Sequence, residues 1–252
     1  VAPLEDEAKA GLQLLAIRVR LEEGRGAEAV AELEGLLAQG RLRPEQAVPV
    51  LERAVDLDPT QARAHLVLGR TAAALRDLDR AVKAFGDAAR ADGSLVEEVG
   101  DNLDAMAASP AAQASHLVEV AHFHRRFRGA AEAAVGYERA LRLEPAQADR
   151  VLGDLGPVLE DPHAAKELLY VASRAARLSG HLEEACRLLT RVFSTEPEEA
   201  SKVLAELRRC IEECEGEILP VRTLGQVLLA MKRNDEAAAT IAEAADDPRY
   251  PE

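Results

Sequence analysis

The sequence contains no tryptophan, and aromatic residues account for only 3% of its 252 positions. Strands are usually rich in aromatic and β-branched residues, whereas Ala and Leu, which supply most of the apolar surface here, are strong helix formers. Hydrophobic residues still make up 48% of the chain, which is enough to build a core. The shortage of strand-forming residues therefore predicts an all-α protein.

Cysteine is also scarce, and the three thiols are Cys186, Cys210 and Cys214. A small, odd number argues against a disulfide framework and favours a reducing compartment. No apolar run is long enough to span a bilayer, and the acidic first residues do not resemble a signal peptide. We therefore expect a cytoplasmic chain without membrane insertion. Because the sequence begins at Val1 rather than Met, we also expect a fragment or a processed chain.

Basic residues are outnumbered, since 31 Lys and Arg face 45 Asp and Glu and the net charge is −14. A protein that binds nucleic acid must neutralise phosphates with Lys and Arg. An RNA-binding helical repeat would need a continuous basic face, and the sequence shows none outside the one basic column described below. Nucleic acid is therefore disfavoured as a partner.

Motifs for catalysis or metal binding are missing as well. His116, His122 and His124 lie on one predicted helix, but no Cys or carboxylate nearby completes a tetrahedral metal site. Cys210 and Cys214 are four residues apart, and two ligands do not close such a site. No glycine-rich phosphate loop follows a strand. We therefore predict that the chain is not an enzyme and holds neither a metal nor a cofactor.

A period of 52 residues is the strongest signal in the sequence. Alanines recur at this interval as Ala29, Ala81, Ala133, Ala185 and Ala237. Four residues after each alanine the side chain is large, at Leu33, Phe85, Tyr137, Leu189 and Ile241. Twelve residues before each alanine it is mostly small, at Ile17, Gly69, Ala121, Ser173 and Gly225. Recurrence in several columns at once indicates a stack of similar structural units.

These columns resemble the tetratricopeptide repeat, a hairpin of two antiparallel helices, here named A and B, in about 34 residues. The resemblance implies small residues where the helices cross, as at Gly69, and a closing proline, as at Pro145 and Pro197. We predict an α-solenoid in one domain, residues 1–252. Its five repeats lie near residues 5–57, 61–108, 111–160, 163–214 and 217–247.

Each repeat exceeds the family's length by about 18 residues, which predicts a third helix, named C, in the first four repeats. We expect helix C near residues 44–57, 94–108, 146–160 and 198–214, which gives about fourteen helices in all. Ser109-Pro110 and Asp161-Pro162 place a capping side chain before a proline. Such pairs predict helix starts, with the proline at the first helical position.

The resemblance implies that A helices line a concave surface that receives a peptide or a protein. Residues 18, 15, 11 and 8 positions before each key alanine share one face of helix A, named here the A stripe. It is notably basic, and Arg pairs bidentately with carboxylates, so we expect an acidic partner. The candidate contact residues are Arg18, Arg63, Leu66, Arg70, Val118, His122, Arg125, Tyr170, Arg174, Arg177 and Arg222.

Two readings of this stripe stay open. The arginines could instead be solvated or paired with neighbouring Asp and Glu, and helix C could cover the groove, which would favour a site on the convex side.

For function, we predict an adaptor or scaffold of bacterial type that binds a peptide or protein. The alternative is a structural module whose exposed ends self-associate into a homo-oligomer.

Overall fold

The computed structural model describes residues 2–214, 216–247 and 249–250, with side chains from residue 9 onward. Within these residues it contains fourteen α-helices and no strand. The helices span Ala2–Glu22 (α1), Gly26–Ala38 (α2), Pro44–Leu57 (α3), Ala62–Ala74 (α4), Leu78–Ala91 (α5), Val96–Ala107 (α6), Ala114–Phe127 (α7), Ala130–Leu143 (α8), Ala148–Leu159 (α9), Lys166–Leu178 (α10), Leu182–Thr195 (α11), Ala200–Glu213 (α12), Ile218–Ala230 (α13) and Asn234–Asp246 (α14).

The predicted fold class is confirmed: helices A and B occur five times, and helix C follows each of the first four hairpins. Helix C is α3, α6, α9 and α12, and its bounds agree with the predicted ones within about two residues. A single 3-10 turn precedes the last three of these helices, and in two cases it begins at the closing proline. No helix in the described part of the chain is both long and apolar enough to cross a membrane.

The two predicted helix starts at Ser109-Pro110 and Asp161-Pro162 are wrong. Helix α7 begins at Ala114 and α10 at Lys166, several residues later. Ser109 Oγ instead accepts a hydrogen bond from the backbone N–H of Ala111, and Asp161 Oδ1 accepts one from that of His163. Bonds to the backbone two residues ahead stabilise turns, so each pair forms a separate turn before its helix.

Backbone contacts divide the chain into two compact units, Val1–Phe127 and Arg128–Glu252. The first contains α1 to α7 and the second α8 to α14. The prediction that all 252 residues form one domain stays a prediction.

The same packing rule holds inside both compact units. Helices α4 and α7 pack against the B and C helices that precede them, and so do α10 and α13 in the second unit. The periodic alanines are buried wherever they occur, from Ala29 to Ala237. An A helix therefore completes its core only when it lies on the two preceding helices.

Most A helices end in a residue with left-handed backbone. This position is Gly24 in the first repeat and Gly180 in the fourth, but Arg76 and Lys232 also adopt φ near +60°. The residue after each donates its backbone N–H across the last turn, as Asp77 does to the Ala72 carbonyl. This bond satisfies a carbonyl that the helix end would leave without a partner, which explains why two non-glycine residues accept the strained conformation.

The crossing of helices A and B is tightest in the second repeat, where Phe85 packs on Gly69. A Cβ added at Gly69 would lie 2.6 Å from two atoms of the Phe85 ring, while one at Gly225 would meet Ile241 at 3.3 Å. We expect Gly69→Ala to lower the free energy of unfolding by ~1–3 kcal/mol, because a buried ring has nowhere to move.

Gly225→Ala is the matched control. Its neighbour Ile241 is half-exposed and can shift, and Ala is favoured over Gly inside a helix by ~1 kcal/mol. Urea unfolding followed by circular dichroism should therefore show a loss of stability for Gly69→Ala and no loss for Gly225→Ala. Equal effects at the two sites would contradict this account of the crossing.

Candidate functional site

The A stripe of the second repeat is occupied by the chain's own acidic residues. Arg63 on α4 binds Glu34 on α2 through two bonds, with N···O distances of 3.0 and 2.6 Å. Its third nitrogen lies 3.3 Å from Glu98 on α6. Hydrogen bonding to Glu34 is the main cause that raises the pKa of Arg63. Both carboxylates come from helices packed on α4, so the pairing is internal.

Arg70, two turns further along α4, joins the same cluster. It donates to Glu98 at 2.5 Å, to Glu34 at 3.3 Å and to the Asn102 side-chain oxygen at 3.3 Å. Glu98 and Asn102 lie on helix C of the same repeat, α6. Helix C therefore covers this stripe, and an incoming carboxylate would have to displace Glu34 or Glu98.

In the fourth repeat, helix A is again bound by acidic residues of its own chain, but different residues are involved. Lys166 on α10 lies 2.6 Å from Glu196 and 2.9 Å from Glu199, which stand just before helix C, α12. The Tyr170 hydroxyl donates to Glu199 at 3.3 Å, and the Lys202 ammonium lies 3.8 Å from the centre of the Tyr170 ring. Such a cation over an aromatic face is attractive.

Arg177 lies at the far end of this stripe. Its side chain is buried and forms an ion pair with Glu213 on α12. Burial is the main cause that lowers its pKa, and the negative potential of neighbouring groups opposes that shift. A guanidinium in this position binds helix C to helix A and is not exposed to a partner.

Three candidate residues of apolar or aromatic type are not exposed. Leu66, Val118 and Tyr170 all lie in the core. The sequence analysis expected them to offer apolar contact to a partner; their side chains are buried in this structure, and that role stays a prediction. In the second and fourth repeats the reason is the third helix, whose side chains meet the same stripe.

The remaining candidates differ in exposure. Arg18 is exposed, and Arg174 is half-buried. His122 and Arg125 are half-buried on α7, with 3.3 Å between His122 Nδ1 and an Arg125 nitrogen. Their role in binding a partner stays a prediction.

The fifth repeat is different because three of its four A-stripe residues, Arg222, Gln226 and Leu229, are exposed, while Leu219 is half-buried. Ile218, next to Leu219 on α13, is exposed as well. Leu229 is 51% exposed, whereas Arg177, the residue 52 positions earlier, is buried. Within the described residues no helix follows α14, and Arg249 lies near Gly216, just before α13. The set Ile218, Arg222, Gln226 and Leu229 is called the α13 stripe.

His116 and His124 lie inside the protein and contact acidic residues of neighbouring helices. The His116 ring accepts a hydrogen bond at Nδ1 from the backbone N–H of Gln113, which leaves Nε2 to donate to Asp79 at 3.1 Å. His124 Nε2 lies 3.2 Å from Asp104. Both rings are buried. Among the described residues, no group of three or more His, Cys, Asp or Glu side chains is arranged to hold a metal ion.

The three cysteines are free thiols, and Cys186 and Cys210 are buried while Cys214 is half-buried. Burial is the main cause that raises the pKa of Cys186, and it raises the pKa of Cys210 to about 12. A thiol that stays protonated is a poor nucleophile and a poor metal ligand. Cys186 and Cys210 therefore act as small apolar side chains in the core of the second compact unit.

The charged contacts between helices A and C were only partly visible in the sequence. The period located both helices, and the internal pairing of the arginines was one of two open readings. Which acid meets which arginine depends on side chains 28 to 36 positions apart, such as Arg70 with Glu98 or Glu34. No local pattern carries that information.

Comparison with known proteins supports the repeat assignment. A family model described as tetratricopeptide repeat matches residues 36–97. Among solved structures, the MamA protein is 13% identical, with 87% of this chain and 90% of that chain covered and a TM-score of 0.27. YrrB, described as a TPR protein with an unusual peptide-binding site, is 16% identical, with 76% and 97% covered and a TM-score of 0.28.

PilF of Pseudomonas aeruginosa is 19% identical to this chain, with 74% of this chain and 99% of that chain covered and a TM-score of 0.25. These identities and TM-scores are low, so nothing about a partner is carried over from any of the three structures. The curated proteins contain no significant match to the chain.

The thiols provide a test of how tightly helices α11 and α12 pack. We expect iodoacetamide at pH 8 to modify Cys214 first and Cys210 about a hundredfold more slowly, because burial keeps the Cys210 thiol protonated. Peptide mass spectrometry after timed quenching would measure the rates. In urea all three cysteines should react alike, and rapid labelling of Cys210 in the folded chain would contradict the packing described.

The cluster around Glu34 gives a second test. Glu34→Ala removes the acceptor that Arg63 and Arg70 share, and we expect a loss of ~0.5–1 kcal/mol in the free energy of unfolding, since the pairs are partly exposed. The loss should shrink in 1 M NaCl because salt screens such pairs. Urea unfolding at two salt concentrations would measure it, with the exposed Lys83→Ala on α5 as control. A loss that salt leaves unchanged would show that packing, not charge, is responsible.

Proposed function

We propose that this chain is a non-enzymatic scaffold of the tetratricopeptide repeat type, which the family model matches over residues 36–97, and that it holds a peptide or protein partner. Repeats of this kind present helix faces on a stacked framework, and their function lies in those faces rather than in a reactive centre. Three free thiols also agree with a reducing compartment such as the cytoplasm.

The observation that carries the proposal is the open α13 stripe. In the second and fourth repeats the equivalent stripe holds a helix of the same chain, α6 on α4 and α12 on α10. In the fifth repeat Arg222, Gln226 and Leu229 of this stripe are exposed, and so is the neighbouring Ile218. The A stripes of the second and fourth repeats bind helix C of their own chain. We therefore infer that the corresponding face of α13 can bind a helix of another molecule.

The internal examples also indicate the chemistry of the partner. Arg63 and Arg70 meet Glu98 of helix C, and Tyr170 meets Glu199. The α13 stripe keeps one cation, Arg222, between apolar residues at both ends. We therefore propose a partner segment that places a carboxylate at Arg222 and apolar side chains at Ile218 and Leu229. This agrees with the acidic partner expected from the sequence but relies on fewer arginines.

A variant carrying both Arg222→Glu and Leu229→Glu tests this surface. We expect it to lose at least about tenfold in capture of partners, because it repels a carboxylate and places a charge where an apolar contact forms. The measurement is affinity capture with the whole chain as bait, followed by quantitative mass spectrometry against the unaltered chain. Val135→Glu, at an exposed position on α8, serves as the matched control and should keep every partner.

A photo-crosslinking residue at position 226 makes the same test without disturbing charge. Crosslinks should form at 226 and not at 135. If the double variant keeps all partners at full yield, or crosslinks are equal at both positions, the α13 stripe is not the binding surface.

A further inference from the structure

Helix α1 exposes an apolar stripe that its counterparts bury. Leu12 is 69% exposed, Leu15 57% and Val19 50%, and the three residues stand one turn apart on one face of the helix. They are called the α1 stripe. Large apolar side chains aligned in this way on a soluble surface usually mark a contact site.

The 52-residue period shows what such a stripe does in the other repeats. The counterparts of Leu15 in the second, fourth and fifth repeats are Val67, Val171 and Thr223, and all are buried. The counterparts of Leu12 and Val19 in those repeats are buried too. They are buried because α4, α10 and α13 each lie on a preceding B helix and C helix. The α1 stripe is therefore one half of a repeat junction.

Helix α14 exposes the other half. Ala238, Ile241 and Ala245 are exposed with the same spacing as the α1 stripe, and they are called the α14 stripe. Ile241 is 50% exposed, whereas its counterparts Leu33, Phe85, Tyr137 and Leu189 are fully buried. The α14 stripe is the face of a B helix on which the next A helix lies.

Contacts inside the chain show how the two halves would meet. In the junction between α11 and α13, Cys186 and Thr223 are both buried where the two helices pack together, and Thr223 lies near enough to influence the pKa of the Cys186 thiol. Cys186 is the counterpart of Ala238, and Thr223 is the counterpart of Leu15. The counterpart of this pair between two copies would place Leu15, at the centre of the α1 stripe, beside Ala238, at the beginning of the α14 stripe.

Charge supports the same pairing. In the junction between α11 and α13, Glu183 and Glu217 line one cavity of about 540 Å³. Their counterparts are Asp235 at the start of α14 and Lys9 on α1. Two acids at the internal junction are thus replaced by a pair of opposite charge. Helix α14 contains four acidic residues and no basic one, while Lys9 and Arg18 are exposed on α1.

We propose that the α1 stripe of one copy of this chain docks on the α14 stripe of a second copy, so that copies associate head to tail. One polypeptide carries both halves of the junction, and the second copy is the occupant that fits each of them. Two different surfaces meet, which makes the contact heterologous. The proposal goes beyond the scaffold function, because the α13 stripe is a separate face.

Sedimentation velocity on the whole chain tests the association. Between about 1 and 500 μM, a range that spans the affinity of small interfaces, the weight-average mass should rise above the 27.1 kDa of one chain. Leu15→Glu and Ala238→Glu should each stay at the mass of one chain, since each buries a charge in one half of the contact. Val135→Glu should associate like the unaltered chain, and circular dichroism should show that all variants are folded.

A mixture of Leu15→Glu and Ala238→Glu tests whether the contact is head to tail. Leu15→Glu keeps its α14 stripe and Ala238→Glu keeps its α1 stripe, so an equimolar mixture should form dimers of about twice the single-chain mass. A mixture that stays at the single-chain mass would overturn the proposal, and so would an unaltered chain that never associates. If Ala238→Glu alone still dimerises, α1 pairs with α1 and the head-to-tail contact is wrong. Partner capture through the α13 stripe should be unchanged in Leu15→Glu.

Discussion

The structure depends on one constraint: helix A cannot bury its apolar face against helix B alone. Its second side has to lie on the B and C helices of the repeat before it, as α4 does on α2 and α3. This requirement explains why the buried columns recur at a fixed interval, because every junction between repeats needs side chains of similar size and apolar character at the same positions. It also explains the close approach of Phe85 to Gly69. Helix α4 packs against α2, α3 and α5 at once, which leaves no room for a Cβ at its crossing with α5.

The third helix changes which surface is available to other molecules. In a two-helix repeat the A stripe would face outward, but in the second and fourth repeats α6 and α12 lie over it and supply carboxylates to its arginines, Glu98 to Arg70 and Glu213 to Arg177. The basic residues of the stripe therefore attach helix C in these repeats. On α13, where most of the stripe is exposed, we propose that the same face receives a segment of a partner.

Much of the fold could be predicted from the sequence, and less of the site. The period gave the number and order of the helices and the bounds of α3 without error, because it follows from apolar packing that recurs in every repeat. The turns at Ser109 and Asp161 were misjudged because the same side chain caps a helix or closes a turn. The burial of Leu66 and Tyr170 was missed because one helix face does not reveal what covers it. The open α13 stripe could have been found by asking which repeat has no helix C.

Because each junction involves only adjacent helices, the length of the interval has a genetic consequence. Gain or loss of one complete block of 52 residues between two junctions would leave the side chains of every remaining contact unaltered. Insertion of a single residue within α4 would rotate everything after it by about 100° and turn Thr71 away from its neighbours. The packing thus tolerates the gain or loss of whole repeats. It does not tolerate the insertion of single residues within a helix.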